Sequence, residues 1–247
     1  MLRRRLITTL TFYDGVLFRT KHFTPDYRYT AHFVDAWSID EIVLLDISRP
    51  ERRNPEFFYE IVSDFSRKCF VPLCVGGGVR SLEDIKRYLD LGADKVSLNT
   101  MMLDNPDLVT LAAHRFGSQC VVASIDVRQD EGGYHVFRNC GRERTEWRPD
   151  ALAKRLEDLG VGEILLNSID RDGSLEGYDN GLNASVVRSV SIPVVVCGGA
   201  GKWQDFVDAI LIAGADAVAT TNIYHFTETS IRSAKQYLAK QGICVRT

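Results

Sequence analysis

The chain has 247 residues, with 30 basic and 33 acidic side chains for a net charge of −3, and 45% of its residues are hydrophobic. This is the composition of an ordinary soluble globular protein, and its near-neutral charge argues against nucleic acid or an acidic membrane surface as the main partner, since either favours a basic excess. No apolar run approaches the roughly 20 residues needed to cross a bilayer, so we predict no membrane span.

Short apolar runs alternate with amphipathic helical patterns along the chain. The predicted strands, each short and apolar as in a sheet buried on both faces, cover residues 6–10, 42–47, 72–75, 95–98, 121–126, 164–168, 193–197 and 217–220. The predicted helices, which carry apolar residues at helical spacing, cover residues 56–67, 81–91, 106–116, 149–159, 183–190, 203–213 and 229–240. This alternation predicts the α/β class and a single (βα)8 TIM barrel over residues 1–247.

Internal similarity predicts that the barrel consists of two pseudo-symmetric half-barrels. The segment VPLCVGGGVR at 71–80 resembles IPVVVCGGAG at 192–201, and LGADKVSLNT at 91–100 resembles AGADAVATTN at 213–222. The offset of 121 or 122 residues is about half the chain. Between the fifth strand and its helix, residues 128–147 alternate around Gly132 and Gly133, which predicts a hairpin inserted in that loop.

The six cysteines form no CxxC or Cys/His metal-binding pattern, and the five histidines are scattered. We therefore predict no metal site, and no sequence feature implies a cofactor. The basic N-terminus is followed by an apolar run that Thr8, Thr9 and Asp14 interrupt, which favours a strand over a signal peptide. Together with the cysteine pattern, this favours a reduced, cytoplasmic compartment.

Two glycine-rich turns follow the third and seventh predicted strands, at pseudo-symmetric positions. The active site of a barrel forms at the carboxyl ends of its strands, and glycines there let backbone N–H groups approach a phosphate closely. The alternative is a tight turn that needs glycine for its backbone angles alone. Because the turns occur as a pair, we predict two phosphate sites on opposite sides of the mouth. Their residues are Gly77, Gly78, Asn99 and Thr100 in the first half and Gly198, Gly199, Thr220 and Thr221 in the second.

Asp126 ends the fifth strand, where a carboxylate can act as general acid or base; the alternative is an aspartate that caps a helix or anchors a loop. The pseudo-symmetric position, at the end of the first strand, is Thr11, whose hydroxyl cannot serve as a base near neutral pH. Asn167, Asp172 and Gly173 crowd the end of the sixth strand. That crowding predicts either a substrate-binding loop or a solvated Asp-Gly turn.

Four charged residues lie at the opposite, amino ends of the strands: Arg5, Glu41, Lys95 and Glu163. Two acids and two bases at this end of a barrel could form a ring of salt bridges. By composition alone, solvation or stability is the favoured explanation for charges on this face.

The chain resembles, over essentially its whole length, the cyclase subunits of imidazole glycerol phosphate synthase, half-barrel-duplicated enzymes of histidine biosynthesis. The segments that carry the resemblance are distributed along the sequence. They include DEIVLLDI at 40–47, VGGGVR at 75–80, GADKVSLNT at 92–100, FGSQCVVASID at 116–126, GEILLNSIDRDGSLEGYD at 162–179 and CGGAGK at 197–202.

The resemblance implies that a separate glutaminase docks on the barrel bottom and that its ammonia passes through the barrel to the top-face site. It implies that the four charged residues form an ammonia gate and that Asp94 is an acidic residue of the docking face. It also makes Asp126 a catalytic acid/base and supports the two phosphate sites, to which Asp172 and Gly173 are added. The implied substrate is a phosphorylated small molecule.

The departures from the family shape the functional hypotheses. The family's other catalytic aspartate falls at Thr11, and the usual threonine of the sixth strand falls at Asn167. Losing one acid/base group typically costs about 10²–10⁴-fold in rate, which argues against cyclisation. The leading hypothesis follows a divergent branch found with bacterial surface-polysaccharide genes: ammonia-dependent amination or amidination of a phosphorylated or nucleotide-activated sugar, with Asp126, Thr11 and Asn167 at the catalytic centre. The alternatives are a genuine cyclase (a lyase) of histidine biosynthesis and a non-catalytic scaffold that only channels ammonia.

Overall fold

The structure is a computed structural model that describes residues 3–28, 39–220 and 231–246. The strands are β1 (Arg5–Tyr13), β2 (Val16–Lys21), β3 (Thr24–Arg28), β4 (Glu41–Asp46), β5 (Leu73–Gly76), β6 (Lys95–Leu98), β7 (Val121–Asp130), β8 (Gly133–Arg138), β9 (Glu143–Arg144), β10 (Glu163–Ser168), β11 (Val194–Cys197) and β12 (Ala217–Thr220). The α-helices are α1 (Pro55–Lys68), α2 (Leu82–Asp90), α3 (Thr100–Asp104), α4 (Pro106–Phe116), α5 (Pro149–Asp158), α6 (Asn180–Val187), α7 (Trp203–Leu211) and α8 (Ile231–Lys240). No helix in these three ranges is long and apolar enough to cross a membrane.

Eight of the strands form a closed parallel barrel. Its ladder runs from β1 through β4, β5, β6, β7, β10, β11 and β12, and β12 pairs with β1 to close it. The predicted (βα)8 barrel is therefore confirmed, and every predicted strand and helix overlaps an observed one. The helices pack outside the strands, with the main apolar core between the two layers.

Three local elements differ from the sequence prediction. The helix predicted at 183–190 is α6, which begins three residues earlier because the Asp179 side chain accepts a hydrogen bond from the Leu182 N–H and caps it there. The short helix α3 was not predicted, since five residues are too few to show a helical period. The antiparallel pair β2–β3, which continues β1 above the barrel, was also missed because its polar sequence lacks an alternating apolar pattern.

A second hairpin rises from the fifth barrel strand. β7 runs past the barrel rim and pairs antiparallel with β8, with Asp130 opposite Gly133 at the turn, and β8 then pairs with the short β9. The turn that joins β8 to β9 contributes Asn139, Cys140 and Arg142 to the lining of the cavity at the barrel mouth. The hairpin therefore adds side chains to the site that the barrel alone does not supply.

Three aspartates join neighbouring strands at the barrel bottom. Asp40, Asp94 and Asp216 each accept a hydrogen bond from a backbone N–H on the strand beside them, at 2.8, 2.8 and 3.1 Å. The donors are Leu6, Leu73 and Val194. Asp94, which the family resemblance assigns to docking, thus has a structural partner of its own.

The inside of the barrel is layered from bottom to top. Inward-facing positions recur every second residue along each strand. Above the bottom lies a layer of buried apolar side chains, which are Ile7, Val43, Cys74, Val122, Leu165, Val195, Ala217 and Ala219. Higher up, the inward side chains become polar, with Thr9, Ser97 and Ser124 lining the cavity at the mouth.

Below the apolar layer, the four charged residues form a closed ring of ion pairs, here called the charge ring: Arg5, Glu41, Lys95 and Glu163. Arg5 lies 2.6 Å from Glu41 and also contacts Glu163. Lys95 Nζ lies 2.8 Å from Glu41 Oε1 and 2.6 Å from Glu163 Oε2. Each carboxylate therefore contacts both cations. Burial alone would raise the pKa of Glu163, but Arg5 and Lys95 outweigh burial and hold that pKa below its ordinary value.

We expect Lys95→Met to destabilise the fold more at pH 7 than at pH 4. Breaking a buried ion pair costs about 3–5 kcal/mol, because the remaining charge is uncompensated. Since the pKa of Glu163 is lowered in the fold, its stabilising contribution is complete above the unfolded-state pKa and is lost as pH falls through the folded-state pKa. Urea unfolding midpoints at both pH values measure the difference.

The matched control is Lys154→Met, which removes an exposed lysine paired with Glu157 and Asp158 on the outside of α5. It should leave the midpoint unchanged at both pH values. An equal loss for Lys95→Met at pH 7 and pH 4 would contradict an electrostatic role for the charge ring.

Candidate active site

A cavity of about 720 Å³ opens at the carboxyl ends of the barrel strands. Its floor is the polar upper layer of the barrel interior, and its walls are the loops that follow the strands. Among the predicted site residues within the described ranges, twelve line it: Thr11, Gly77, Gly78, Asn99, Thr100, Asp126, Asn167, Asp172, Gly173, Gly198, Gly199 and Thr220. Thr221 lies outside the described residues. The fold therefore brings the predicted catalytic and phosphate-binding residues to one place.

Asp126 is buried on the cavity floor between two side-chain amides. Asn167 Nδ2 donates to Asp126 Oδ1 at 2.9 Å, and Asn99 Nδ2 donates to Asp126 Oδ2 at 2.9 Å. The strand register explains the first contact, because Asn167 of β10 is the direct ladder partner of Asp126 of β7. Each carboxylate oxygen thus has one amide donor, and Asp126 neither caps a helix nor anchors a loop in this arrangement.

The pKa of Asp126 is raised to about 7. Burial is the main cause, and the hydrogen bonds from Asn167 and Asn99 oppose it by stabilising the carboxylate. A carboxyl with this pKa exchanges its proton readily near neutral pH, which is what a general acid or base requires. Asn167 and Asn99 act on this group as positioning residues.

Thr11 does not replace the missing carboxylate. Its hydroxyl donates to the Phe18 carbonyl oxygen of β2 at 2.5 Å, so its proton is engaged in a hydrogen bond with the hairpin above the barrel. Its side chain lines the cavity and is nearly buried. The floor therefore contains Asp126 as its acid/base group and a neutral hydroxyl at the pseudo-symmetric position.

Close packing of the backbone, besides a possible phosphate ligand, explains why glycine occupies these turns. Gly77 and Gly198 both have positive φ, and a Cβ on either would overlap the backbone oxygen of the neighbouring strand's end, at Asp46 and Ser168 respectively. In the described part of the chain, the N–H groups of Gly78 and Gly199 donate no hydrogen bond. Close packing thus accounts for the glycines, and free backbone donors remain at both turns for a phosphate.

Asp172 connects the loop after β10 to the β2–β3 hairpin. Its carboxylate accepts hydrogen bonds from Thr20 Oγ1 at 3.0 Å and from the Phe23 N–H at 2.9 Å. Burial raises its pKa, opposed by these hydrogen bonds. Gly173 lies directly under the hairpin, where a side chain would overlap the Thr20 backbone. These contacts hold the hairpin over the cavity, and phosphate binding by Asp172 stays a prediction.

Two groups in the cavity escaped the sequence analysis. Ser124 accepts a hydrogen bond from Asn167 at 3.1 Å and so helps to orient that amide. Arg53 pairs with Asp46 at 2.9 Å and lies against the Gly78 turn. The signal for Asp46 was present, since it ends a barrel strand as Asp126 does, but Arg53 lies in a polar loop that no periodic pattern marks.

No group of three or more histidine, cysteine, aspartate or glutamate side chains that could hold a metal ion occurs in the residues described. His22, His114 and His135 lie on separate elements. The site places one buried carboxyl, Asp126, among amide, hydroxyl and backbone donors, and its role as the acid/base group stays a prediction.

Comparison with known proteins identifies the family. The sequence pattern of the family described as "Histidine biosynthesis protein" matches residues 8–230. A protein of Halalkalibacterium halodurans named "Imidazole glycerol phosphate synthase subunit HisF" is 41% identical, and the alignment covers all of both chains. Proteins of the same name from Anoxybacillus flavithermus and Bacillus velezensis are each 40% identical, again over the full length of both chains. With its barrel, its charge ring and its buried Asp126, the chain belongs to the HisF family of histidine biosynthesis proteins.

Proposed function

We propose that the chain is the ammonia-using subunit of a two-component synthase of the imidazole glycerol phosphate synthase type. A separate glutaminase would dock at the barrel bottom and release ammonia beneath the charge ring. The ammonia would cross the barrel and react at the mouth with a phosphorylated substrate. The observation that carries this proposal is Asp126, the acid/base group of the cavity floor, buried at the opposite end of the barrel from the charge ring.

The barrel interior favours neutral ammonia over ammonium. Above the charge ring, the layer that includes Ile7, Val43 and Leu165 is apolar apart from the weakly polar Cys74 thiol, so an ion would lose most of its hydration there without compensation. Neutral ammonia loses less hydration free energy than ammonium when it enters this layer. It would next meet the hydroxyls of Ser97 and Ser124, which lie just below Asp126 in the cavity lining.

Asp126 would move the protons of the reaction. Ammonia that attacks a carbon centre acquires positive charge and must release a proton, and a carboxylate beside the path can accept it. With a pKa of about 7, the same group returns the proton to a leaving oxygen or nitrogen. The two asparagine amides keep its oxygens oriented through both steps.

Two substrates are compatible with this arrangement. The names of the relatives favour the two-phosphate ribonucleotide of the histidine pathway, which the two glycine turns could hold at both ends. Thr11 favours the second candidate, amination of a phosphorylated or nucleotide-activated sugar, because a cyclisation that needs both a proton donor and a proton acceptor lacks its second carboxylate here. Thr11 and Asn167 would then contact the altered substrate.

We expect Asp126→Asn to lower ammonium-supported product formation by about 10²–10⁴-fold, the usual contribution of one acid/base group. The assay uses the purified chain, excess ammonium salt and either candidate substrate, and needs no glutaminase. Asp107→Asn is the control, because it changes an exposed carboxylate on the outer helix α4, and it should leave the rate of product formation unchanged. Full product formation by Asp126→Asn would instead favour the scaffold hypothesis.

We expect Thr11→Asp to raise turnover of the two-phosphate ribonucleotide by about 10²–10⁴-fold, because it adds the carboxylate that cyclisation needs. Loss of the ribonucleotide's absorbance measures the rate. A wild-type rate already within the usual enzyme range of about 1–10³ per second, and not raised by the substitution, would contradict the sugar candidate and support the cyclase.

We expect Asn167→Leu to move the pH–rate inflection of the ammonium-supported reaction to higher pH. The Asn167 amide stabilises the charged form of Asp126, so its removal raises the pKa above about 7. Asn54→Ala, which removes the cap of α1 outside the cavity, controls for lost stability alone. An inflection that stays in place would show that Asn167 does not act through Asp126.

A further inference from the structure

The walls of the cavity differ in the cations that line them. On the side where β4, β5 and β8 end, four arginines line it: Arg49, Arg53, Arg80 and Arg142. On the opposite side, formed by the loops after β10 and β11 and the end of β12, the described lining residues include no lysine or arginine, and Asp172 adds a carboxyl. Both sides have a glycine turn with free backbone donors, but only the Gly77–Gly78 turn has arginines beside it among the described lining residues.

Arg53 is held rigidly beside the Gly77–Gly78 turn. Its Nε donates to Asp46 Oδ2 at 2.9 Å, and its Nη2 donates to the Ser48 carbonyl oxygen at 2.8 Å. Its Nη1 makes no hydrogen bond among the residues described and lies against Gly78. A fixed guanidinium with one free N–H edge beside a phosphate turn is preorganised to bind an anion.

The other three arginines are not neutralised by an ion pair among the described residues. In the part of the chain that the structure describes, the side chains of Arg49, Arg80 and Arg142 form no ion pair. Of the acids that line the same wall, Asp104 and Glu143 are both paired with Arg138, which does not line the cavity. Glu51 also lines this wall and forms no ion pair among the described residues, so three such arginines face one such carboxylate.

Two of these arginines, Arg53 and Arg142, affect the same thiol, that of Cys140. Burial raises the pKa of the Cys140 thiol, and the charges of both Arg53 and Arg142 oppose that shift. Cys140 itself lines the cavity in the turn between β8 and β9. Arg53 and Arg142 of the hairpin therefore both act on Cys140, a residue of the cavity lining.

The half-barrel duplication supplies an internal comparison. The pseudo-symmetric counterpart of Arg49 is Arg171, which pairs with Glu176 at 3.3 Å and does not line the cavity. The counterpart of Arg80 is Gly201. At these two positions the second half therefore has a cation that is neutralised or no cation at all.

We propose that this arginine wall is a diphosphate subsite: the Gly77–Gly78 turn and Arg53 hold one phosphoryl group, and Arg49, Arg80 and Arg142 hold a second one bonded directly to it. The proposal rests on the placement of the substrate at this cavity under the proposed function, and it deepens that function by naming the substrate class. A diphosphate joined to a sugar, as in nucleotide-activated sugars, has this pair of adjacent phosphoryl groups. A substrate with single phosphates at its two ends does not.

The chemistry of arginine supports this assignment. Guanidinium groups bind phosphoryl oxygens in a planar, two-pronged geometry and stay charged at every physiological pH. A single terminal phosphate is already served by the turn and by Arg53. Three further guanidinium groups without an ion pair among the described residues, against the single carboxylate of Glu51, match the additional charge of a second phosphoryl group.

The test is calorimetric titration of the purified full chain with inorganic pyrophosphate and, separately, with inorganic phosphate, in metal-free buffer at fixed ionic strength. We expect pyrophosphate to bind one-to-one and at least about tenfold more tightly than phosphate, because hydrogen bonds to charged groups are worth about that factor or more. Arg49→Gln and Arg142→Gln should each weaken pyrophosphate binding by about tenfold while changing phosphate binding little. A nucleoside diphosphate should bind at least as tightly as pyrophosphate.

Arg171→Gln is the matched control, since it is the pseudo-symmetric counterpart of Arg49 and lies outside the cavity. It should bind pyrophosphate as the wild type does. Equal affinities for phosphate and pyrophosphate, or Arg49→Gln and Arg142→Gln variants that match Arg171→Gln, would overturn the subsite. Because no ammonia chemistry is involved, either result is independent of the turnover assays that test the proposed function.

Discussion

Closure of the barrel is the constraint on which every other feature of this molecule depends. Once β12 pairs with β1, the inward-facing positions of eight strands are confined to one narrow interior. Charges at the amino ends must then find one another or remain unpaired in a poorly hydrated space, and the charge ring is the arrangement that satisfies all four. At the other end, the same closure places Asn167 directly beside Asp126 and raises the pKa of that carboxyl by burial.

The two ends of the barrel thus treat carboxylates in opposite ways. Glu163 at the bottom meets two cations, and its pKa is held below the ordinary value despite burial. At the top, burial dominates for Asp126, and the neutral hydrogen-bond donors around it do not offset that burial, so its pKa rises to about 7. The charged form of Glu163 is therefore favoured, whereas Asp126 can gain and lose a proton near neutral pH, as the proposed function requires.

The two departures from the family's catalytic positions, Thr11 and Asn167, both lie at the mouth of the barrel. Thr11 turns its hydroxyl to the Phe18 carbonyl and so becomes part of the hairpin above the barrel. Asn167 supplies an amide to Asp126, and the arginine wall surrounds one glycine turn with positive charge. These features of the mouth are the basis for the proposal of a synthase that uses ammonia with a different acceptor.

The sequence by itself determined the barrel, its duplication and most of the residues at its mouth, because each depends on a local signal. Strand and helix periods, glycine turns and strand-terminal polar residues such as Asp126 and Asn99 are all read within a few neighbouring positions, and parallel strands must bring their carboxyl ends together. Sequence could not predict the hairpin β2–β3, since its polar strands are ordered by contacts with Asp172, some 150 residues away. Nor could it show that Asn99 and Asn167 donate to the two oxygens of Asp126, or that Asp94 accepts a hydrogen bond from the Leu73 N–H. It also could not show that Arg53 lies against Gly78 while the other arginines of the wall form no ion pair among the described residues. Those facts depend on strand register and on which charges are neutralised across the fold, and only the tertiary structure decides both.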